Sequence, residues 1–539
     1  MVSGWGLHEM MLEHGAGGDK DVVQSEVIAF LRDPSSWPEL TSHVDVIETH
    51  GALVFLAGDN VLKIKRAVRL PYLDFSTLAA RHKFSKREFE INSTHAPGLY
   101  RGVVAITREV DGRLTIAGEG TPVEWAVLMH RFRQDQLLSR IVKDRGIDET
   151  MATALADQIV AYHGLAPLKF GTVDPVDGVA QSITAALSRQ TDHRLVEVAK
   201  RFWSAAQVQL RRSAGIRRER AEAGHVRRCH GDLHLNNIVL WHGAPLPFDA
   251  IEFDEALATI DTLYDLAFLL MDLERNDARA IANLVLNRYL WRTGDVSDLR
   301  GLAALPLYLG LRAGVRAMVA LDRAQLVANA EPGITEHVLA TMALADRCLD
   351  PLPPRLIVVG GLSGTGKTVL SAGLAPLVGA APGALHLRTD LERKRLAGVG
   401  ELERLPASSY TEQASTIIYQ NLISQARLAL SAGHSVVLDG VYAREAERGA
   451  VKSLAEECGI LLEAIWLEGE QNVLKSRVAS RTGDASDATP DVVDLQRRID
   501  TGPMVWHRIN ASRSKADVLA EVKGVLGGTS EDRLFASLG

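Results

Sequence analysis

The chain has 539 residues, which is too long for one hydrophobic core and predicts two to four domains. Its 60 basic residues against 67 acidic ones argue against non-specific nucleic-acid binding, because such binding needs an excess of positive charge. No secretion-type signal opens the chain, no uninterrupted apolar run reaches membrane-spanning length, and the three cysteines are too widely spaced for a disulfide framework or a zinc knuckle. We therefore expect a cytoplasmic protein with neither nucleic-acid nor membrane partners.

Residues 1–40 are weakly patterned and are interpreted as an N-terminal extension. From Val44 the pattern changes to strands, because apolar and polar residues alternate and Gly58-Asp59-Asn60 is a hairpin signal. Lys63 and Lys65 stand two apart on the second of these strands and so face the same way. Charged residues on a strand often mark only a solvated face.

The segment after these strands favours a different interpretation of the lysines. Residues 81–97 read as a basic helix that carries Glu88, and an acid on a helix beside a strand lysine can hold that lysine against a nucleotide phosphate. Two further strand-rich stretches follow, and residues 136–225 turn helical, with apolar residues three and four apart.

The next informative stretch follows Cys229 and contains the pattern H-G-D-x-H-x-x-N, from His230 to Asn237. Asp232 stands five residues before Asn237, which is the offset of kinase catalytic loops, where the Asp accepts a hydroxyl proton and the Asn ligates a metal ion. After a short hairpin about His242-Gly243, Asp249 is the first choice for a metal-binding Asp, with Glu252 as a second ligand.

The histidines of this pattern also allow a zinc site, since His230, Asp232 and His234 are spaced two apart. The oxygen-rich set of Asp232, Asn237 and Asp249 suits magnesium better, because magnesium is a hard ion. We expect His230 to be hydrogen-bonded to the loop backbone. Asp265, which begins a later helix, is expected to brace the loop.

This combination resembles the aminoglycoside phosphotransferase-like kinases, over about residues 40–345. The resemblance implies a protein-kinase-like fold in which Asp232 is the catalytic base, Asn237 and Asp249 hold magnesium, and Lys63 or Lys65 contacts the nucleotide with Glu88 in support. No G-x-G-x-x-G loop is evident in the small lobe, so a non-catalytic kinase domain remains the alternative. Arg312, Arg316 and Arg323 are candidates for binding an anionic acceptor, although scattered arginines usually only face solvent.

The clearest motif is G-x-x-x-x-G-K-T, which spans Gly361–Thr368 between an apolar run and a helical segment. In this context backbone N–H groups surround phosphate oxygens, Lys367 reaches the outer phosphates and Thr368 ligates magnesium. The residues expected to bind nucleotide here are Gly361, Ser363, Gly364, Thr365, Gly366, Lys367 and Thr368.

Strand and helix patterns alternate after this loop, which predicts a parallel sheet covered by helices, with ligands at the carboxyl ends of the strands. Asp439 closes the strand at 435–440 and is expected to hold magnesium. Asp390, at the end of the strand at 385–390, is a candidate base, although an acid there can also merely cap the next helix.

Basic residues surround this predicted site. Arg388, Arg393 and Lys394 suggest recognition of an anionic acceptor or neutralisation of charge during transfer. Arg477 and Arg481 precede a loop rich in Gly, Asp, Ser and Pro, which is typical of a lid whose arginines close over the transferring phosphoryl group. Solvent-facing helix arginines are the alternative.

This half resembles the small P-loop kinases of the gluconate, shikimate and adenylate kinase type and, more distantly, zeta-toxin-like kinases. Both halves together resemble bacterial fusions of an aminoglycoside phosphotransferase-like domain with a P-loop domain. The predicted division is an extension (1–40), a protein-kinase-like α+β domain (41–348), a Pro-rich linker (349–355), an α/β P-loop domain with a parallel sheet (356–527) and a tail (528–539).

The resemblance implies ATP and Mg²⁺ as cofactors. We expect a phosphotransferase whose two domains each move the ATP γ-phosphate to a small-molecule hydroxyl. The alternative is a nucleotide-dependent sensor with a non-catalytic first half and an ATP-switched second half.

Overall fold

The computed structural model describes residues 19–38, 41–49, 51–70, 73–170, 175–326, 333–481 and 483–527, so the predicted tail lies outside the described residues. Two compact units are present. The first comprises the chain up to Leu210, Arg217–Asn276 and Tyr308–Asp346, and the second comprises Arg211–Ile216, Asp277–Leu307 and the chain from Arg347. The second unit thus takes in residues 277–307, which lie well before the predicted linker.

The first unit begins with a small lobe built on a six-stranded antiparallel sheet of order β1-β2-β3-β8-β6-β7. The elements of this lobe are α1 (Asp19–Arg32), β1 (Asp45–Glu48), β2 (Ala52–Ala57), β3 (Asn60–Lys65), β4 (Arg69–Leu70), β5 (Leu73–Asp74), α2 (Leu78–His95), β6 (Tyr100–Arg108), β7 (Leu114–Ile116) and β8 (Thr121–His130). The predicted strands, the hairpin at Gly58-Asp59 and the helix carrying Glu88 are confirmed.

Helix α1 is part of the small-lobe core, although the sequence set residues 1–40 apart as an extension. Val27, Leu31 and Trp37 are buried in one cluster with residues of the sheet. The Gln24 amide donates to the Lys65 carbonyl at 3.0 Å and to Glu124 Oε2 at 2.8 Å. A stripe of apolar residues along a helix indicates that the helix packs against another element, but it does not reveal which one. Here the partner is the sheet, whose residues are distant in sequence.

The rest of the first unit is a mainly helical large lobe. Its next elements are α3 (Leu138–Asp144), α4 (Glu149–Leu165), α5 (Val176–Ser188), α6 (His193–Glu222), β9 (Val226–Arg228), β10 (Ile238–Trp241), β11 (Ala244–Pro247), α7 (Glu255–Ala258), β12 (Thr259–Asp261) and α8 (Thr262–Arg275). Strands β10 and β11 form the predicted hairpin about His242-Gly243, both of which have positive φ.

The following helices divide between the units. They are α9 (Arg279–Thr293), α10 (Val296–Gly301), α11 (Leu305–Leu326) and α12 (Ile334–Leu349). Helices α9 and α10 belong to the second unit, whereas α11 from Tyr308 onward and most of α12 belong to the first. The stretch Val296–Ala324 is long and apolar enough to cross a membrane, but 67% of its most apolar window is buried, as in a core helix.

The second unit contains a five-stranded, all-parallel sheet of order β14-β15-β13-β16-β17, which confirms the predicted α/β alternation. Its remaining elements are β13 (Leu356–Gly361), α13 (Lys367–Leu374), β14 (Leu385–Arg388), α14 (Thr389–Ala397), α15 (Glu412–Ser431), β15 (Val436–Asp439), α16 (Glu445–Cys458), β16 (Leu462–Glu468), α17 (Gln471–Ala479), α18 (Pro490–Arg497), β17 (His507–Asn510) and α19 (Lys515–Gly527).

Side-chain amides of α9 cap the free edge of this sheet at β14. Asn287 Oδ1 accepts the His386 backbone N–H at 2.6 Å, and Asn287 Nδ2 donates to the Ala384 carbonyl at 3.2 Å. Asn283 Nδ2 donates to the same carbonyl at 3.0 Å. An edge strand has backbone groups without a neighbouring strand, so these amides take the place of a sixth strand.

We expect Asn287→Ala to lower the free energy of unfolding of the second unit by about 1–3 kcal/mol, because the His386 N–H of β14 loses its acceptor and the Ala384 carbonyl keeps only the Asn283 amide. Thermal or urea unfolding of the full chain measures the change. The matched control is Asn472→Ala, which makes the same substitution at an exposed position of α17. Equal stability of the two variants would contradict the capping role.

Candidate active sites

In the first unit, the catalytic-loop pattern forms a tight turn between β9 and β10. Gly231 has a φ of +84°, in the left-handed region that favours glycine, and a Cβ there would lie 2.9 Å from Ile251 Cδ1. The backbone N–H groups of His230 and Gly231 donate to the two carboxylate oxygens of Asp265, at 3.1 and 2.9 Å. The expected bracing role of Asp265 is confirmed.

Asp232 and Asn237 face each other across this turn. Asn237 Nδ2 donates to Asp232 Oδ2 at 2.9 Å, which leaves the amide oxygen of Asn237 for a metal ion. Burial opposes ionisation of Asp232, but His234 at 3.3 Å, His230 and Arg316 hold the pKa of its carboxyl well below the usual range. The carboxylate is 39% exposed and therefore accessible to an acceptor.

Lys63 on β3 joins the small lobe to the segment that follows β11. Its Nζ lies 2.8 Å from Glu88 Oε1 on α2 and 2.5 Å from Asp249 Oδ1. These two carboxylates raise the pKa of the Lys63 ammonium, although burial alone would lower it. Since Asp249 is 37% exposed, the lysine and the candidate metal ligand share one opening.

Asp249 itself has an unusual backbone conformation. Its φ is +63°, which is uncommon for a residue other than glycine, and its N–H donates to Tyr100 Oη at 3.1 Å. Such conformations cluster at functional sites, where the surrounding structure maintains them. His230 Nε2 contacts the Phe248 carbonyl at 2.9 Å and so holds the preceding residue in place, as expected of a histidine bonded to the loop backbone.

Lys65 and Glu252 are both buried. Lys65 is 2% exposed, its Nζ lies 2.5 Å from Glu88 Oε2, and it also bonds Glu252. Burial raises the pKa of the Glu252 carboxyl, with Lys65 opposing. Of the two lysines, Lys63 is therefore the one beside Asp249, and the proposed metal-ligand role of Glu252 does not fit, because its carboxylate neutralises a buried lysine.

The three arginines of α11 have different surroundings. Arg312 is 5% exposed and donates to the Gly231 carbonyl at 3.1 Å, so it supports the catalytic loop and does not meet an acceptor. Arg323 is exposed. Arg316 follows one turn after Arg312, and its charge lowers the pKa of Asp232. Of these three arginines, Arg316 is the one whose charge acts on Asp232, so it stays the candidate for binding an anionic acceptor.

The small lobe has no room for a long Gly-rich loop between its first two strands. Strand β1 ends at Glu48 and β2 begins at Ala52, so only three residues connect them.

In the second unit, the P-loop lies between β13 and α13. Gly364 and Gly366 both have a φ of +85°, and a Cβ on Gly364 would lie 2.5 Å from the Leu474 carbonyl oxygen. Lys367 Nζ donates to the Leu362 carbonyl at 3.1 Å, and burial lowers the pKa of its ammonium. The loop therefore has the predicted form, with its lysine folded back over it.

Thr368 and Asp439 form the candidate metal site of this unit. Thr368 Oγ1 donates to Asp439 Oδ2 at 2.7 Å, and Asp439 ends β15. Sequence reasoning missed His386 on the neighbouring strand β14, whose Nε2 lies 3.5 Å from the same oxygen. Burial opposes ionisation of Asp439, but His386, Lys367 and Arg388 hold the pKa of its carboxyl below the usual value.

The strand predicted to end at Asp390 ends at Arg388, so Asp390 is the second residue of α14. Among the described residues its carboxylate has no hydrogen bond or ion pair, so it does not cap its own helix. The negative charge of Asp390 acts to raise the pKa of Lys367, so Asp390 lies near the phosphate-binding loop. This position fits the predicted base.

The cations around Asp390 are already paired with carboxylates or rings. Arg388 Nη2 lies 3.1 Å from Asp484 and Lys394 Nζ lies 2.7 Å from Asp487, both in the predicted lid loop. Arg393 stacks on the Tyr410 ring, with its guanidinium carbon 4.7 Å from the ring centroid. Arg388 and Lys394 hold the lid loop to β14 and α14, so the cationic cluster is not the open anion site that the sequence suggested.

The two predicted lid arginines point to different places. Arg481 Nε lies 3.3 Å from Asp484 Oδ2, and its charge acts on Lys367. Arg477 Nη1 instead donates to the Ala511 carbonyl, at 2.8 Å, just after β17. Arg481 thus belongs to the P-loop site, whereas Arg477 contacts the loop after the last strand.

Both donor sets fit magnesium. Asn237 and Asp249 offer amide and carboxylate oxygens in the first unit, and Thr368 and Asp439 offer hydroxyl and carboxylate oxygens in the second. These are hard donors of the kind magnesium prefers. The hydrogen bond between Thr368 and Asp439 shows that these two oxygens are adjacent.

Comparison with known proteins finds a family model and several solved structures that are similar to parts of the chain. Residues 356–500 match the family model AAA_33, described as an AAA domain. Among solved structures, a choline kinase from Cryptosporidium parvum is 11% identical, with a TM-score of 0.40, and the match covers 60% of this chain and 95% of that one. A gluconokinase from Sinorhizobium meliloti is 20% identical, with a TM-score of 0.24, covering 34% and 98%.

Two mycobacterial relatives match nearly the whole chain. Uncharacterized protein Rv2004c of Mycobacterium tuberculosis is 31% identical over 489 residues, which cover 85% of this chain and 93% of the relative. A protein of Mycobacterium bovis, Mb2027c, matches to the same extent. The chain belongs to the same family as these mycobacterial proteins.

Proposed function

We propose that the chain is an ATP- and Mg²⁺-dependent phosphotransferase in which each unit transfers the γ-phosphate to a hydroxyl of a small molecule. The observation that carries the proposal is the grouping of Lys63, Glu88 and Asp249 beside the Asp232–Asn237 pair, because these are the parts that phosphoryl transfer requires. We further propose a cytoplasmic location and no nucleic-acid partner, in line with the chain's charge balance.

In the first unit, Glu88 orients Lys63 toward the nucleotide phosphates. Asn237 and Asp249 would hold the metal ion, which neutralises phosphate charge when bound. Asp232 accepts the proton of the acceptor hydroxyl as the oxygen–phosphorus bond forms and the bond to the leaving ADP breaks. Because the pKa of Asp232 is lowered, the carboxylate is ionised and ready to accept at neutral pH.

In the second unit, the backbone N–H groups of residues 364–368 and the Lys367 ammonium bind the phosphates. Thr368 and Asp439 would hold the metal ion. Asp390, which has no partner among the described residues, is the base that takes the acceptor proton. Arg481 adds positive charge near the transferring group.

The alternative is a sensor whose first unit binds a ligand without catalysis while the second switches on ATP. The three-residue connection between β1 and β2 favours it, because a Gly-rich loop normally covers the phosphates in protein kinases. The contacts of Lys63 favour catalysis, since a non-catalytic unit has no need to keep Lys63, Glu88 and Asp249 together.

Acceptor-dependent ATP consumption separates the two functions. We expect wild-type chain to turn over ATP with different acceptors in its two units, tested on a panel of sugars, hydroxy acids, amino alcohols and aminoglycosides. Lys367→Ala should abolish turnover with one group of acceptors and leave the other. Hydrolysis that needs no acceptor, and that Lys367→Ala removes completely, would instead support the sensor.

A further inference from the structure

A side chain of α18 holds the outer face of the P-loop. Gln496 Oε1 accepts the Ser363 backbone N–H at 2.8 Å, across 133 residues of sequence. Ser363 is only 8% exposed, so its N–H needs a protein acceptor. Nothing in the sequence around Gln496 distinguishes it from the polar residues that follow.

The peptide group that receives this bond also holds the P-loop lysine. A trans peptide is planar, so its C=O and N–H point in opposite directions. The Leu362 carbonyl accepts Lys367 Nζ at 3.1 Å and Thr365 Oγ1 at 2.8 Å, while the N–H on the other side of the same peptide donates to Gln496. The Leu362–Ser363 peptide is therefore held from both sides.

Helix α18 is itself held firmly. Asp494 accepts hydrogen bonds from Gln471 Nε2 at 2.7 Å and from Lys475 Nζ at 2.6 Å, both on α17. Val493 packs with Leu474 in a small core that Leu362 of the P-loop also contacts. Gln496 thus extends from a fixed base and can hold the loop peptide in one orientation.

We propose that Gln496 is a positioning residue for phosphoryl transfer in the second unit. Its amide oxygen fixes the orientation of the Leu362–Ser363 peptide, and the carbonyl of that peptide places the Lys367 ammonium. This inference rests on the proposed function of the P-loop unit. Without an acceptor, the buried N–H of Ser363 is left unpaired and the peptide rotates to find another, which releases Lys367 from its carbonyl.

The test uses the full chain in an Asp232→Asn background, so that turnover reports on the second unit. Gln496→Met keeps the length of the side chain and removes the acceptor, and Gln496→Asn keeps the amide but is one methylene shorter. Gln496→Glu keeps an acceptor oxygen at the same distance. The matched control is Gln420→Met at an exposed position of α15.

Two measurements are made on each variant. Hydrogen exchange of the segment containing Ser363, measured without nucleotide, reports how well the backbone N–H groups of the loop are protected. Steady-state kinetics give kcat and KM for ATP. We expect Gln496→Met and Gln496→Asn to speed exchange at Ser363 and to lower kcat/KM by about 5- to 100-fold, with Gln496→Glu keeping the protection and Gln420→Met unchanged.

Three outcomes would overturn the inference. One is wild-type exchange and turnover in both Gln496→Met and Gln496→Asn. Another is equal loss of protection in Gln496→Glu, which would show that packing and not the acceptor oxygen matters. The third is loss of turnover without faster exchange. If wild type itself has no turnover, the proposed function fails, but exchange at Ser363 still decides the role of Gln496.

Discussion

Asp232→Asn is expected to lower acceptor phosphorylation by the first unit by about 10²- to 10⁴-fold, because the substitution removes the general base and keeps the shape of the side chain. Asn237 Nδ2 can still donate to the remaining oxygen, so the loop keeps its form. The loss should appear in kcat and not in nucleotide affinity. ADP release in a Lys367→Ala background, with the best acceptor of the panel, measures it.

The control for this variant is Asp144→Asn, which makes the same change at an exposed position near the end of α3. It should retain full turnover. The contrary result is that the Asp232→Asn single variant retains all turnover and the Lys367→Ala single variant loses all of it. The first unit would then not be catalytic, and the sensor alternative would hold for that unit.

Arg220→Met is expected to destabilise the first unit by about 3–5 kcal/mol, because it leaves a buried carboxylate without its partner. Arg220 and Asp261 are 0% and 1% exposed, and the guanidinium donates to both carboxylate oxygens, at 2.7 and 2.8 Å. Burial alone would raise the pKa of Asp261, but Arg220 holds it below its usual value.

The effect should reach the catalytic loop. Asp261 caps α8 by accepting the Leu263 N–H at 2.8 Å, and α8 carries Asp265, which braces His230 and Gly231. Urea unfolding monitored together with acceptor phosphorylation tests this. Arg218→Met, at an exposed position of the same helix, is the control and should change stability by less than about 0.5 kcal/mol. Equal effects of the two variants would refute the prediction.

The elements that the sequence predicted well depend on local patterns. The P-loop occupies eight consecutive residues, and the offset between Asp232 and Asn237 is five residues, so these chemical groups stay together in any fold that contains them. The alternation of strands and helices after Gly361 likewise follows from periodicity, which the backbone imposes on each segment separately.

The errors concern side chains whose role depends on distant partners. Glu252 has the chemistry of a metal ligand, but Lys65 binds it across 187 residues of sequence. Arg312 has the chemistry of an anion receptor, but it supports the Gly231 carbonyl. A charged residue pairs with whatever the fold brings near, and its own neighbours in sequence do not reveal that partner.

The sequence alone determined the two candidate site motifs and the order of the two folds, because each motif is contiguous and each segment has its own periodicity. Only the tertiary structure decided that Lys63 meets Asp249 across 186 residues, that Asn287 caps β14 across 99 residues, and that Gln496 holds Ser363 across 133 residues. These contacts form because packing of apolar faces brings distant segments together, and the polar groups buried at those places must then find partners.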